Sequence, residues 1–333
     1  MRPRSLTPRT VPVATVVLLC LGAGPVSAAQ REYSGTETFA APDGTRVVID
    51  TASVDLKLRT ADVPEVEVAT ELRISGVGEE RAERFIASHM PTTEVSDGRI
   101  TITINPGRMG FLGLGTLTAR TRLGFLLPSH VTPDITTTGG AISIRGDLPN
   151  ARPLYLRTAT GDMELVGAAA AVDIRSASGD TRLELIRPLE TFFARTSSGN
   201  LSLSGGAREV RADTASGSVW MDNLSGNAEV ATSTGKLTLA WDRLEPENRV
   251  VVRSDSGRIR LTIPEGVSPR GSLRTIGGNL RSDFPGTVND AGDTITLAGD
   301  GPEILIESAS GDVVLEAGTW WGGTSSEGDP STD

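Results

Sequence analysis

The chain has 333 residues, and its 42 acidic side chains outnumber the 32 basic ones to give a formal net charge of −10. This balance argues against a nucleic-acid partner, because the phosphates of DNA and RNA require a basic surface. A single cysteine excludes a disulfide framework within the chain and a zinc–thiolate cluster. With 38 glycines and only 4% aromatic residues, the composition favours repeated strands and tight turns over a helical bundle.

The first 28 residues have the pattern of a secretory signal peptide. Basic residues come first, at Arg2, Arg4 and Arg9. An apolar run follows over residues 11–24, and small residues before Ala28 offer a cleavage site. The run is too short for a good membrane-spanning helix and no later segment is apolar enough, so we do not expect an integral membrane protein.

Cleavage near Ala28 would leave an acidic chain outside the cytoplasm. Its 29 basic and 42 acidic residues give a net charge of −13. We do not expect Cys20 to carry a lipid, because Leu19 directly precedes it where a lipidation site requires a small residue. We therefore expect an exported protein that is periplasmic, displayed on the cell surface or secreted.

A four-residue phrase, Thr/Ser-x-Ser/Thr-Gly, recurs along the chain. Its complete copies end at Gly161, Gly179, Gly199, Gly217, Gly235, Gly257 and Gly311. Two variants carry a second glycine, at residues 137–140 and 275–278, and an early copy at residues 51–54 has Val54 in place of the glycine. The glycines of the five central copies lie 18, 20, 18 and 18 residues apart, and such a fixed period indicates a repeat architecture.

Apolar residues alternate on both sides of each phrase, which indicates strands with one buried face. In one copy the residues predicted to share a face before the glycine are Val210, Ala212, Thr214 and Ser216. The next buried pair, Val219 and Met221, has the opposite parity, so the inward set switches at Gly217. A bend with one extra residue requires this switch, and glycine tolerates the positive φ of such a bend. Each repeat is therefore predicted to hold two short strands that meet at a corner.

These coils predict an all-β chain with a β-solenoid over residues 29–318, a single-stranded β-helix-like stack of 18–22-residue coils. One coil cannot bury its own apolar face and must bury it against its neighbours. The regular stack is expected from about Thr136 to Leu315. Hydroxyl residues at the corners are expected to satisfy backbone groups of the bend, as in the pairs Thr196 and Ser198, and Thr214 and Ser216.

An insertion over residues 59–132 interrupts the pattern near the N-terminus. Strands are predicted at Val66–Ile74 and Arg99–Ile104, and a short helix at Glu79–His89 is expected to cover one end of the solenoid. Met109–Leu127 is rich in glycine and leucine and is predicted to be a loop.

A second interruption, Asp283–Gly301, is predicted to hold a β-hairpin through Thr294–Leu297. Residues 319–333 are predicted to form a disordered acidic tail, with Trp320 and Trp321 packing on the last coil.

Three stretches resemble a bacterial family of unknown function whose members are described as candidate adhesins. They are Leu261–Pro264 followed by Leu273–Gly278, Gly301–Val313, and Leu126–Pro128. The resemblance extends over nearly all of the chain after the signal peptide. Its motifs are structural, so it implies a solenoid resembling adhesin head domains and supplies no catalytic residues.

No motif of catalysis or cofactor binding occurs in the sequence. His89 and His130 fall in no metal-ligand spacing, and there is neither a Gly-x-Ser-x-Gly nucleophile turn nor a phosphate-binding loop. We therefore predict no catalytic residue, no metal and no cofactor.

Side chains one and three positions after each corner glycine are predicted to face solvent. The candidate binding residues among them are Trp220, Lys236, Arg258 and Arg260. A tryptophan can stack on a sugar ring, and arginines can bind acidic groups. Taken coil by coil, this face is predicted to change from acidic to basic along the axis, with Trp220 near its middle.

Three functions are compatible with this surface. The preferred one is an exported envelope binding or scaffold protein, with a surface polysaccharide or another envelope protein as partner. The second is head-to-tail self-association through the oppositely charged coils. The third is a polysaccharide-active enzyme that uses Asp162 and Asp180. Residues one coil apart are separated by about 4.8 Å, close to the roughly 5 Å between the carboxylates of retaining glycosidases.

Overall fold

The computed structural model describes residues 15–17, 31–76, 78–104, 118–148 and 152–318. Helix α1 spans Glu79–His89, as predicted. The strands before the central coils are β1 (Thr15–Val17), β2 (Arg31–Ala40), β3 (Arg46–Ser53), β4 (Asp55–Ala61), β5 (Glu65–Ser75), β6 (Thr92–Ser96), β7 (Arg99–Ile104) and β8 (Thr118–Pro128).

The central coils contain β9 (Pro133–Gly139), β10 (Ile142–Leu148), β11 (Leu154–Thr160), β12 (Met163–Ala169), β13 (Ala171–Ser178), β14 (Thr181–Leu185), β15 (Leu189–Ser198), β16 (Leu201–Ser204), β17 (Ala207–Ser216), β18 (Val219–Leu224), β19 (Asn227–Thr234), β20 (Leu237–Trp241), β21 (Arg249–Ser256) and β22 (Ile259–Ile263). The last strands are β23 (Arg270–Gly277), β24 (Leu280–Ser282), β25 (Gly286–Val288), β26 (Thr294–Ala298), β27 (Glu303–Ser310) and β28 (Val313–Ala317).

Each coil contributes one strand to each of two sheets, which confirms the predicted β-solenoid. Strands that follow a corner form sheet A, in the order β1-β2-β5-β8-β4-β10-β12-β14-β16-β18-β20-β22-β28-β24. Strands that precede a corner form sheet B, in the order β25-β26-β23-β27-β21-β19-β17-β15-β13-β11-β9-β3-β7-β6. The central strands of both sheets pair in parallel, and their inward residues form one continuous hydrophobic core from Phe39 to Leu315.

The corner glycines form a single column along the stack. Gly217 has a φ of +129°, and a Cβ built on it would overlap the carbonyl oxygen of Gly199, the corner glycine of the preceding coil. The same overlap would occur at the other complete copies of the phrase. Glycine is therefore required here both by the left-handed backbone and by the close approach of two main chains.

The two hydroxyls of each phrase lie in different environments. The first is buried in every complete copy, and in most copies it bonds at the corner: Thr214 Oγ1 donates to the carbonyl of Ser216 at 3.2 Å, and Thr196 Oγ1 donates to Thr214 Oγ1 at 2.9 Å. The hydroxyls of Ser254 and Ser308 are buried without a hydrogen-bond partner in the described residues. The second, at Ser198 and Ser216, lies at the exposed edge. The prediction that Ser216 shares the inward face of Thr214 was therefore wrong, because the chain begins to bend before it reaches Gly217.

The coils do not stack in chain order at either end. The coil of β27 and β28 lies between those of β21–β22 and β23–β24. The coil of β3 and β4 likewise lies between those of β7–β8 and β9–β10. Antiparallel strands extend the sheets beyond these coils, including the predicted hairpin of β25 and β26. The period alone could not reveal this order, because it contains no information on which neighbour a coil pairs with.

One prediction for the N-terminal insertion needs correction. The whole described part of the predicted loop at Met109–Leu127 lies in the strand β8, which pairs with β4 and β5 and buries Leu123, Phe125 and Leu127. Helix α1 packs on β2 and β5, the antiparallel strands at the N-terminal end of sheet A, and its covering of that end stays a prediction. Its Ala82 and Phe85 form a separate small cluster with residues of β2 and β5.

Other predictions fall on the termini. Residues 15–17, inside the predicted signal peptide, pair with β2 as an antiparallel strand, and cleavage of the signal stays a prediction. Trp320, Trp321 and the predicted tail lie outside the described residues. Within the described ranges, no helix is long and apolar enough to span a membrane.

We expect Gly217→Ala to destabilise the protein by about 2–4 kcal/mol, because it adds a strained φ to a steric overlap with the Gly199 carbonyl. Urea denaturation would measure this loss. Gly266→Ala is the matched control, since a Cβ there meets no atom within 4 Å, and it should change stability by less than about 0.5 kcal/mol. Equal effects of the two substitutions would contradict the proposed corner packing.

Candidate functional site

Trp220 lies on the outward side of sheet A, near the middle of the stack. It is partly exposed and in register with Ser202 of β16 on one side and Thr238 of β20 on the other. Because adjacent strands are about 4.8 Å apart, these two small hydroxyl residues flank the indole directly. We call Ser202, Trp220, Thr238 and Lys236 the Trp220 shelf.

The structure brings the four predicted binding residues together on three neighbouring strands. Lys236 and Arg258 immediately precede the registered pair Leu237 and Ile259, and Arg260 is in register with Thr238. Lys236 is exposed, and no carboxylate of the described residues lies within 4.0 Å of it. Lys236 therefore contributes an uncompensated positive charge beside Trp220.

The two arginines are not free charges, because the inserted coil places a carboxylate beside each. Arg258 Nη2 lies 3.3 Å from Asp312 Oδ2, and Arg260 Nε lies 3.8 Å from Glu316 Oε1. Hydrogen bonds from the backbone and side-chain amides of Asn279, with the charge of Arg258, hold the pKa of Asp312 below its ordinary value. The predicted change from acidic to basic coils is therefore wrong. Head-to-tail self-association stays a prediction, but it is no longer supported by oppositely charged coils at the two ends.

Asp222 is a further residue near the shelf that the sequence analysis missed. It lies two positions after Trp220, where β18 bulges, and only 5% of its surface is exposed. Burial raises the pKa of this carboxyl, although it accepts hydrogen bonds from the Gly205 amide at 3.0 Å and the Ser204 hydroxyl at 3.3 Å. Its outward parity was visible in the sequence, but its burial depends on loops from the neighbouring coils.

Asp162 and Asp180, the residues of the enzyme hypothesis, both bind backbone. Asp162 Oδ1 accepts the Asp180 amide at 2.9 Å, and Asp180 Oδ1 accepts the Asn200 amide at 2.7 Å. Asn200 repeats the contact with the amide of Ser218 at 3.0 Å. Each side chain thus satisfies an N–H of the next coil just after its corner, which is a structural role.

One concavity of the described residues lies on the opposite sheet from Trp220. It is an open groove of about 450 Å³ over β17, β19, β21, β27 and β23. Its charged walls are compensated in part, since Arg253 Nε lies 3.3 Å from Glu307 Oε2. Arg274 and Asp255 also line the groove and form no ion pair within 4.0 Å among the described residues, but the lining contains no aromatic side chain comparable with Trp220.

The histidines take part in local contacts. The ring of His89 stacks on Phe85 with a centroid distance of 3.7 Å, and His130 Nε2 lies 2.9 Å from the Ala41 carbonyl. In the part of the chain that the structure describes, no three His, Cys, Asp or Glu side chains cluster in a way that could hold a metal.

We expect Asp180→Ala to lower the free energy of unfolding by about 1 kcal/mol, because it removes the acceptor of the Asn200 amide. Asp180→Asn keeps a side-chain oxygen there and should be nearly neutral. Chemical denaturation of both variants would check this. A loss of stability in the asparagine variant as large as in the alanine variant would contradict the assigned role.

Asp222→Asn should stabilise the protein at pH 7, because the buried charge is removed and the Gly205 amide keeps its acceptor. Since folding raises the pKa of Asp222, the wild type gains stability as pH falls through that raised pKa toward the unfolded value near 3.8, and the variant does not. The advantage of the variant should therefore shrink between pH 7 and pH 4 in urea titrations. Asp242→Asn, at an exposed neighbour, controls for the lost charge. An equal advantage at both pH values would contradict the burial of an ionised Asp222.

Among curated proteins, none has a sequence that matches this chain. Several solved structures are similar to it in fold. A candidate adhesin from Bacteroides fragilis is 13% identical with a TM-score of 0.40, and covers 85% of this chain and 96% of its own. A candidate lipid binding protein from Parabacteroides distasonis is 12% identical with a TM-score of 0.43 and the same coverage. A candidate cell adhesion protein from Clostridium sporogenes is 10% identical with a TM-score of 0.26, over 85% of this chain and 99% of its own.

The sequence itself matches one family model over residues 45–316. This range begins just before β3 and ends within β28, so it contains all the coils of the solenoid, including the inserted end coils, and leaves out β1 and β2. The chain therefore belongs to the Toastrack DUF4097 family.

Proposed function

We propose that this protein is an exported, non-catalytic binding protein that holds a surface polysaccharide on the Trp220 shelf. The observation that carries the proposal is the position of Trp220 between the small hydroxyl residues Ser202 and Thr238 on a rigid parallel sheet. An indole supplies a flat apolar face to a sugar ring, and neighbouring hydroxyls can bond to the ring substituents.

The charges around the shelf favour a neutral or weakly acidic chain. Lys236 is the uncompensated cation at the shelf, while Arg258 and Arg260 already contact Asp312 and Glu316. A densely charged polymer would have to displace these carboxylates, and a neutral sugar would not. Lys236 can bind an occasional acidic substituent.

The carboxylates near sheet A favour a binding role over catalysis, because they are engaged in contacts within the protein. Asp162 and Asp180 are both engaged with backbone amides of the next coil. Asp222 is buried and has a raised pKa, but its hydrogen bonds come from Ser204 and Gly205 and no second carboxylate acts on its pKa. The arrangement suits recognition by a preformed surface, because register fixes the spacing of its side chains.

We expect Trp220→Ala to weaken binding of a neutral or weakly acidic polysaccharide by about tenfold or more, because aromatic anchors supply much of the energy of such sites. Affinity electrophoresis in gels that contain dextran, mannan, xylan or partially acidic cell-wall polysaccharide would measure it. Lys236→Ala should cause a smaller loss, confined to the acidic polymers.

Ile186→Ala is the matched control, because Ile186 is a large apolar side chain at the surface after β14, 70% exposed. It should leave the mobility unchanged. If no polysaccharide retards the wild type, or if the Trp220 variant is retarded equally, the proposed site is wrong.

A further inference from the structure

Three arginines stand in register on the outward side of sheet B. Arg157 of β11 pairs with Arg175 of β13, which pairs with Arg195 of β15. All three are exposed, and their backbones follow one another at about 4.8 Å. Like charges in register destabilise a sheet, so this arginine ladder does not serve the fold. It is also unexpected on a chain of net charge −10.

Neighbouring side chains position the guanidinium groups and leave them accessible. Arg157 lies over the ring of Tyr155 at 5.4 Å, and Arg175 lies over the ring of Phe193 at 5.6 Å. Such cation–π contacts hold the charge near the sheet without neutralising it. No carboxylate of the described residues lies within 4.0 Å of Arg157.

The other two arginines each contact a carboxylate of the protein itself, which indicates that a ligand carboxylate is a suitable partner for them. Arg175 Nε lies 3.4 Å from Asp173 Oδ1, and Arg195 Nη2 lies 3.3 Å from Asp213 Oδ2. Exposed pairs of this kind contribute little to stability, and each guanidinium has further N–H donors to offer. A ligand carboxylate can therefore add to these contacts through the remaining N–H donors of Arg175 and Arg195, while Arg157 supplies the charge that no carboxylate of the described residues compensates.

A row of small residues runs beside the ladder. The row consists of the second residue of five successive corner phrases, Ala159, Ala177, Ser197, Ala215 and Ser233. All five are exposed, so packing does not require them to be small. Asp255 occupies the same position in β21 and is exposed as well, which shows that the corner accepts a larger side chain. The row leaves a shallow track along the stack, bordered by the arginines.

We infer that the arginine ladder and this small-residue row bind a linear carboxylated polysaccharide, a chain of uronate sugars. The arginines repeat at about 4.8 Å, which is comparable with the length of one sugar ring, so the carboxylates on the side of the chain that faces the sheet can reach them. Guanidinium groups bind carboxylates in a planar, two-bond geometry that suits this pairing. The ladder ends at Arg195, because the residue in register with it on β17 is Asp213. With three arginines, the site takes about three sugars. It lies on the opposite sheet from the Trp220 shelf and does not depend on it.

The test is binding of oligogalacturonates of one to six residues to the full mature protein, measured by calorimetry. We expect affinity to rise steeply up to three residues and then to level off. The fully methyl-esterified chain has the same sugars without the charge and should not bind. Changing Arg157, Arg175 and Arg195 together to glutamine should weaken binding by more than about tenfold, since each loses charged hydrogen bonds. Ala177→Phe should also weaken it, by filling the track without altering any charge.

The matched control changes Arg73, Arg84 and Arg120 to glutamine, which removes three exposed positive charges away from sheet B. It should bind like the wild type, and so should Trp220→Ala, which separates this site from the shelf. Equal melting temperatures would show that all variants fold. The inference is overturned if the methyl ester binds equally, if the ladder variant and the control behave alike, or if polyphosphate binds to the ladder and uronate does not.

Discussion

The contact between successive corner glycines is the constraint on which the solenoid depends. At each corner from Gly161 to Gly311, the carbonyl oxygen of one glycine occupies the space that a Cβ of its neighbour would need. This contact explains why glycine recurs in every complete phrase, and it places each corner directly over the one before. Because the corners are superimposed, the strands on both sides start in the same register. A one-residue slip would turn every buried residue outward.

That shared register converts a period in the sequence into rows on the surface. The position three residues after the corner becomes one row of sheet A, in which Trp220 lies between Ser202 and Thr238. In sheet B, the residue two positions before the buried hydroxyl of each phrase belongs to the apolar core. The residue directly before that hydroxyl faces outward, and it forms the row that contains Arg157 and Arg175. Both proposed sites therefore occupy surfaces that the corner itself aligns.

At the two ends of the stack, the fold must limit the exposure of unpaired strand edges. A parallel sheet that simply stopped would present long unpaired strands to other chains. Here each end coil pairs with a coil inserted out of chain order, and antiparallel strands such as β2, β5 and β26 extend the sheets beyond it. The outermost strands are short, and β24 and β25 have three residues each. The insertion of β27 and β28 also brings Asp312 and Glu316 beside Arg258 and Arg260, so the arrangement of the ends alters the charge of the central face.

The sequence by itself determined the fold class, the corners and most strand positions, because alternation and glycine spacing act locally and leave a direct pattern in the chain. It also predicted that Trp220 and Lys236 share an outward face, since parity follows from the strand alone. Only the tertiary structure decided the order of the end coils, the strand β8 and the burial of Asp222. Each of these depends on contacts between residues far apart in the chain, such as β4 with β8 or Asp222 with Gly205. The arginine ladder lies between these cases: its residues were visible at the right period, but the neighbours that position them came only with the stacked coils.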